Sequence, residues 1–280
     1  KGNHDIKKDL IINKNQKLII HEGAKLFLWP NVSIYSEGKV LIDGKLEGIT
    51  IQNKYPEKPW GNFSVFGKNS NGSFIKNASI EGGSTKDIKN VLFSGMINFF
   101  WNKDILLENL VVNNNSIGDD TIHFNKSEGN IKNLNIYDCL SDCIDMDFSS
   151  YNIKNLNCSN SSNDGLDLME STVKGFNLNF SGNMDKSISV GEASDLFVEK
   201  LIILNSNIGV ASKDDSNVNL LNVTIKNSNI GLDSYRKNAR YKSSGKINIE
   251  NENFVSNKLD LRCDDKSKIL FNYKQLNFIK

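Results

Sequence analysis

GDDTIHF (118–124), SDCIDMDF (141–148), NDGLDLME (163–170), MDKSISVGE (184–192), NIGVASKD (207–214) and NIGLDSYRK (229–237) carry the repeat that fixes the architecture of this chain. Aligned on the central apolar residue, they give Ile122, Ile144, Leu166, Ile188, Val210 and Leu232, evenly spaced along the sequence. A constant interval of about 22 residues is the mark of a solenoid, in which every coil buries its apolar face on its neighbours. Two residues further on, Phe124, Met146, Leu168 and Val190 make a second apolar column. That alternation predicts a strand buried on one face.

A second repeat precedes the acidic segments: IKNLNI (131–136), IKNLNC (153–158) and GFNLNF (175–180). Leu134, Leu156 and Leu178 are expected to point inward. Asn133, Asn155 and Asn177, and likewise Asn135, Asn157 and Asn179, form polar columns whose amides can hydrogen-bond along the axis as in cross-β ladders. Each coil therefore carries at least two strands, with a third side expected in stretches such as NKSEGN (125–130) and FSSYN (148–152).

The repeat sets the domain plan as one domain over 1–280. Residues 1–51 read as short strands and turns forming N-terminal coils and a cap. Residues 52–63 read as a loop, because they hold two of the three prolines and Trp60, which is expected to fold back on apolar surface. Regular coils are expected over 64–238, and final coils with a cap over 239–280. Phe100 lies one period before Ile122, which assigns it to the inward column and makes Phe99, Phe100 and Trp101 core packing.

Lys and Arg (34) nearly balance Asp and Glu (33), so no net field draws the chain to nucleic acid or to an anionic membrane surface. No apolar run approaches the roughly 20 residues of a membrane span. Cys139, Cys143, Cys158 and Cys263 lack paired metal-ligand spacing, and free thiols are expected. The Asn-x-Ser/Thr sequons follow from the abundance of Asn. Because the sequence opens on Lys1, a processed chain or an excised domain is expected.

These coils resemble the right-handed parallel β-helix of the pectate-lyase-like superfamily, over nearly the whole chain. The resemblance implies an all-β, right-handed parallel β-helix that is secreted or at the cell surface, a monomer whose partner is a polysaccharide. DKSISVGE (185–192) with NIGVASKD also resembles bacterial β-helix proteins found beside spore-coat-kinase-type domains.

The outward column after the central residue reads His123, Asp145, Asp167, Ser189, Ala211, Asp233, and the column before it, Thr121 to Gly231, is small throughout. Neighbouring coils lie about 4.8 Å apart, so a groove with a small-residue floor is expected. Asp120, Asp142, Asp145, Asp147, Asp164 and Asp167 crowd three coils, and each stacked ionised pair costs on the order of 3 kcal/mol. Protonation, turn amides or a cation must compensate. Asp120, Asp142, Asp145, Asp164 and Asp167 are thus candidate Ca²⁺ ligands, although Asp120, Asp142 and Asp164 also suit turn capping.

Two reactions fit. In β-elimination or C5 epimerisation of a uronic-acid polysaccharide, Lys186 or Ca²⁺ neutralises the uronate, His123 is the base, and Tyr235 or a protonated Asp is the acid. Asp145 and Asp167 complete the candidate catalytic set with His123 and Lys186, since Tyr235 lies roughly 24 Å from His123 along the axis. Asp142, Asp164, Ser189, Lys213, Tyr235 and Arg236 are candidate substrate contacts on a strip that runs from acidic to basic. Asp145 with Asp167, or Asp142 with Asp167, also suits an inverting glycoside hydrolase of polygalacturonase type. GDD (118–120) and ND (163–164) faintly resemble that family, but its Gly-His-Gly and Arg-x-Lys elements are missing. A non-catalytic glycan-binding or structural module is the third reading.

Overall fold

In the computed structural model, which describes residues 1–115, 117–271 and 274–275, the repeat becomes a parallel β-solenoid. The chain divides into two compact units, Lys1–Asp145 and Met146–Lys280.

In the first unit, one parallel sheet runs in the order Gly2–Ile6, Ala24–Leu28, Ile49–Asn53, Phe74–Glu81, Ile105–Asn115, Glu128–Cys139. The second runs Leu10–Ile12, Ile34–Ser36, Phe63–Phe66, Gly95–Phe100, Asp120–Asn125, then Asp142–Asp147, the strand within which this unit ends. An antiparallel hairpin, Lys86–Ile88 with Val91–Phe93, is inserted between coils. The second unit repeats the plan, with long strands Ser150–Ser161, Thr172–Ser181, Asp195–Leu204, Asn217–Lys226 and Lys246–Val255 in one sheet. Short strands Leu166–Met169, Lys186–Gly191, Ile208–Lys213, Ile230–Tyr235 and Leu259–Cys263 make the other.

The register follows the period. Leu166 pairs with Ile188, Ile188 with Val210, and Val210 with Leu232. All four are fully buried, as are Leu168 and Val190 of the second column. Where a loop intervenes the step lengthens: Leu232 pairs with Leu261, after an insertion at residues 236–245.

Three expectations are corrected. Phe100 does not lie in the inward column, because Ile97 pairs with Ile122 and Phe100 with Asn125. The step from Ile97 to Ile122 is longer than the period, which turns Phe100 to the outer face and leaves Trp101 half-exposed instead of in the core. The third side is not a separate stretch after the acidic segment. It is the far half of each long strand, which bends at Asn109, Asn133, Asn155, Asn177, Asn222 and Asn251, with φ between 53° and 59°, and at Lys200, with φ of 65°, in Asp195–Leu204. Asn is among the few residues that enter this left-handed region at low cost. Finally, Cys143 and Cys158 are each in a disulfide and so are not the free thiols expected, whereas Cys139 and Cys263 carry free thiols.

The asparagine ladders are present. Asn109 Nδ2 donates to Asn77 Oδ1 at 2.8 Å and Asn133 Nδ2 to Asn109 Oδ1 at 2.7 Å. In the second unit Asn177 donates to Asn155 and Asn179 to Asn157, each at 2.9 Å. A serine ladder that the spacing did not reveal runs inside: Ser171, Ser194 and Ser216 hydroxyls accept the N–H groups of Ser149, Ser171 and Ser194 at 2.9, 3.0 and 3.1 Å. Trp60 folds back as expected, fully buried, with its indole N–H donating to Glu81 O at 2.7 Å. No helix among the described residues is long and apolar enough to cross a membrane.

Candidate functional site

In the first unit, the outer face of the short-strand sheet carries Ser64, Asn98 and His123 in register. Spacing did not single out Asn98 and Ser64, because the steps from Ser64 to Asn98 and from Asn98 to His123 both exceed the period. Gly95 precedes Asn98 on its strand, and a Cβ there would stand 3.0 Å from the backbone nitrogen of His123 and 2.9 Å from Ile97 O. Only glycine lets the strands close at that point.

His123 is the convergence point of this face. Its Nε2 lies 3.6 Å from Asp145 Oδ2, and its Nδ1 lies 3.6 Å from Asp120 Oδ2. Ser94 Oγ sits between, 2.6 Å from His123 Nδ1 and 2.7 Å from Asp120 Oδ2, to which it donates. A hydroxyl has one hydrogen, so with that hydrogen on the carboxylate the Nδ1–H must donate to Ser94 Oγ. Neutral His123 is thereby assigned the tautomer whose Nε2 carries the lone pair. The Phe100 ring meets the imidazole edge-on, centroids 4.8 Å apart. Ser94 follows the inserted hairpin and has no place in the period, which is why the sequence did not single it out.

Asp120, His123 and Asp145 each bring one ligand atom within 4.8 Å of the others. This donor set, two oxygens and an imidazole nitrogen, departs from the roughly six to eight oxygens that Ca²⁺ takes and suits a borderline divalent ion better. Nε2 cannot serve as a proton acceptor and as a metal ligand at once.

In the second unit, Lys186 and Asp164 form a buried pair, Nζ 3.3 Å from Oδ1, and Asp185 also engages Nζ. Asp164 also accepts the backbone N–H of Lys186, at the start of the next short strand, at 2.9 Å. Burial raises the Asp164 carboxyl to about 6, against the opposing pull of Lys186. Burial lowers the Lys186 ammonium, but Asp164 and Asp185 outweigh it and the net direction is up. Lys186 is therefore charged and already engaged by two carboxylates.

Lys213 differs. It is 4% exposed, its stem lies over Gly191, and its ammonium makes no hydrogen bond or ion pair within 4 Å among the described residues. Glu192 and Tyr235 feel its charge: burial raises both, and Lys213 opposes the rise in each. Ser189 is fully buried with its hydroxyl unsatisfied, and Arg236 is tied to the insertion, its guanidinium donating to Ala239 O at 3.0 Å. Asp167 pairs in register with Ser189 and is half-buried. Asp142 is 7% exposed, its N–H donating to Asp119 O at 3.1 Å.

Asp233, 1% exposed, is held by Arg262 through Nε to Oδ1 at 3.0 Å and Nη2 to Oδ2 at 2.5 Å. The insertion at 236–245 displaced Arg262 from the period and hid it from a reading by spacing. Asp233, Tyr235, Arg262, Cys263 and Asp264 line a hollow of about 340 Å³. The small column is not the floor of a groove. Thr121, Cys143 and Ser187 are fully buried, and a Cβ on Gly165, Gly209 or Gly231 would press on Phe180, Ile225 or Phe254. Smallness there serves packing.

Residues 120–274 match the family described as right handed beta helix region. No curated protein sequence matches the chain. Among solved structures, pectate lyase Pel9A superposes with a TM-score of 0.56 at 13% identity, covering 89% of this chain and 70% of that one. The Dettilon tailspike protein gives 0.53 at 12% identity, covering 96% of this chain and 55% of its own. The Streptococcus pneumoniae surface protein and adhesin PfbA gives 0.52 at 13% identity, covering 96% and 91%. At such identity the likeness is one of fold.

Proposed function

The chain belongs to the family of right handed beta helix proteins, and we propose that it is a carbohydrate-active protein that cleaves a uronic-acid polysaccharide by β-elimination at His123. The observation that carries the reading is the relay Asp120, Ser94, His123 Nδ1, which leaves Nε2 as the acceptor. Pectate lyase Pel9A, one of the folds similar to this chain, lends the substrate class support.

In the reaction, Nε2 takes the proton at C5 of the uronate, the C4–O bond breaks, and a C4=C5 double bond forms. Asp145, 3.6 Å from Nε2, stabilises the imidazolium that results. That imidazolium can pass its proton to the departing oxygen when both lie on one face of the sugar. Epimerisation at C5 would need a second proton donor on the opposite face, so elimination is favoured. Inverting hydrolysis asks for carboxyls about 6.5 to 9.5 Å apart; Asp120 and Asp145, which bring oxygens within 4.8 Å, are too close to be such a pair, and that alternative rests on Asp145 with Asp167 or Asp142 with Asp167. Lys213 is the second unit's candidate for holding a uronate carboxylate. The reading includes a monomer, secreted or at the cell surface, where such polymers occur.

The test is incubation with polygalacturonate, polymannuronate and polyguluronate, following the ultraviolet absorbance of the unsaturated product. Wild type should generate it on at least one polymer, and His123→Ala should lose on the order of 10²- to 10⁴-fold in kcat. New reducing ends without the absorbance would establish hydrolysis instead. Binding without turnover would make the chain a glycan-binding module.

A further inference from the structure

The outer face of the first unit holds an aromatic cluster that the solenoid does not need. Tyr35 and Phe100 are buried in it, 2% and 8% exposed, against Ile88 and Phe93 of the inserted hairpin, 7% and 0% exposed. Trp101 lies at the edge of this cluster, its ring centroid 5.0 Å from that of Phe66, which packs against the cluster, and it is 50% exposed. Its backbone has φ of 57°, a region a bulky side chain rarely enters. The corner after the short strand imposes that conformation, since Lys126 one coil on has φ of 51°. The result is an indole pitched outward at the corner and backed by Phe66. Trp101 N–H donates to Asn125 O at 2.9 Å, two residues from His123, and Phe100, its neighbour in sequence, packs on the imidazole. The exposed Lys126 carries its ammonium over the Trp101 ring, 6.0 Å from the centroid, so a ligand that stacks on the indole must share or displace that contact.

We propose that Trp101 and Lys126 form a uronate-binding subsite beside His123, in which a pyranose ring stacks on the indole and its carboxylate pairs with the Lys126 ammonium. The proposal rests on the elimination reading for its substrate class. An apolar sugar face and a charged carboxylate on one residue match an aromatic surface and a cation at one corner. A neutral sugar would use the indole and leave the lysine idle, and a free anion would do the reverse. Packing on Phe66 restrains the indole before the ligand arrives, which lowers the ordering cost of binding.

The experiment titrates tetramers of galacturonate, mannuronate and guluronate, with maltotetraose as the neutral control, by calorimetry into His123→Ala protein, which should hold ligand without consuming it. In that background Trp101→Ala should weaken uronate binding roughly tenfold, and Trp101→Phe by less. Lys126→Met should weaken the uronate tetramers several-fold and leave maltotetraose unchanged. Unchanged melting temperatures would show that the exposed indole is not structural. Equal affinity with and without the Trp101 indole, or no affinity for any uronate tetramer, overturns the subsite. Turnover of the polymers by protein with His123 intact is scored separately, so that loss of the subsite and loss of the elimination reading are distinguishable.

Discussion

For individual residues, the electrostatics of this chain are settled by burial as much as by charge count. Asp164 has Lys186 at 3.3 Å and still titrates near 6, because desolvation outweighs the ion pair. The consequence for stability has a definite sign. Between the ordinary value of 3.8 and about 6, the folded chain holds a proton the unfolded chain has released. Stability contributed here is full below the lower value and falls as pH rises through the window. Urea unfolding of wild type and Asp164→Asn across that window should show a downward slope in the first and a flatter one in the second. Parallel curves would contradict the assignment. At His123 the relay predicts a base that works without a metal, so prolonged chelation should leave both melting temperature and turnover unchanged. A drop in melting temperature restored by a divalent cation would make Asp120, His123 and Asp145 a metal centre.

Among the elements, the long strands turn their corner at residues held in the left-handed region, and the asparagines there do two jobs. They accept the backbone conformation, and their amides bond to the coil before or after, as Asn177 does to Asn155 at 2.9 Å. Asn177→Gly keeps the conformation and loses the bond, whereas Asn177→Val loses both. We expect the valine variant to be less stable than the glycine variant by about 1 to 2 kcal/mol in urea unfolding. Equal losses would mean that the backbone conformation costs little here. Asn133, Asn155 and Asn177 were legible in the sequence as a ladder. Their role in bending one strand into two sides was not, because φ leaves no mark on spacing.

Taken over the full chain, charge is balanced at a net +1, so attraction to an acidic polymer has to come from particular lysines and not from a field. KM on the active polymer should therefore rise only modestly between low and physiological salt, as expected for about one or two local ion pairs. A steep dependence would point to a basic surface that net charge conceals. The repeat made the solenoid, the inward columns and the position of His123 and Asp145 readable in advance, since side-chain direction follows from alternation within a strand and a fixed period between coils. It misplaced whatever lies where the period is broken. Phe100 was turned to the wrong face by a lengthened step, and Arg262 was lost behind an insertion. Ser94 sits on a connection that no repeat governs.

Spacing alone settled the coil, its strands and the inward apolar column, because hydrophobic burial at a fixed interval admits one stacking. It took the folded chain to show which ionisable groups are buried, which face carries Trp101, and that Ser94 and Asp120 set the proton on His123. These depend on where insertions and corners place chain segments in space, and distance in space is the one quantity a linear period does not encode once it is interrupted.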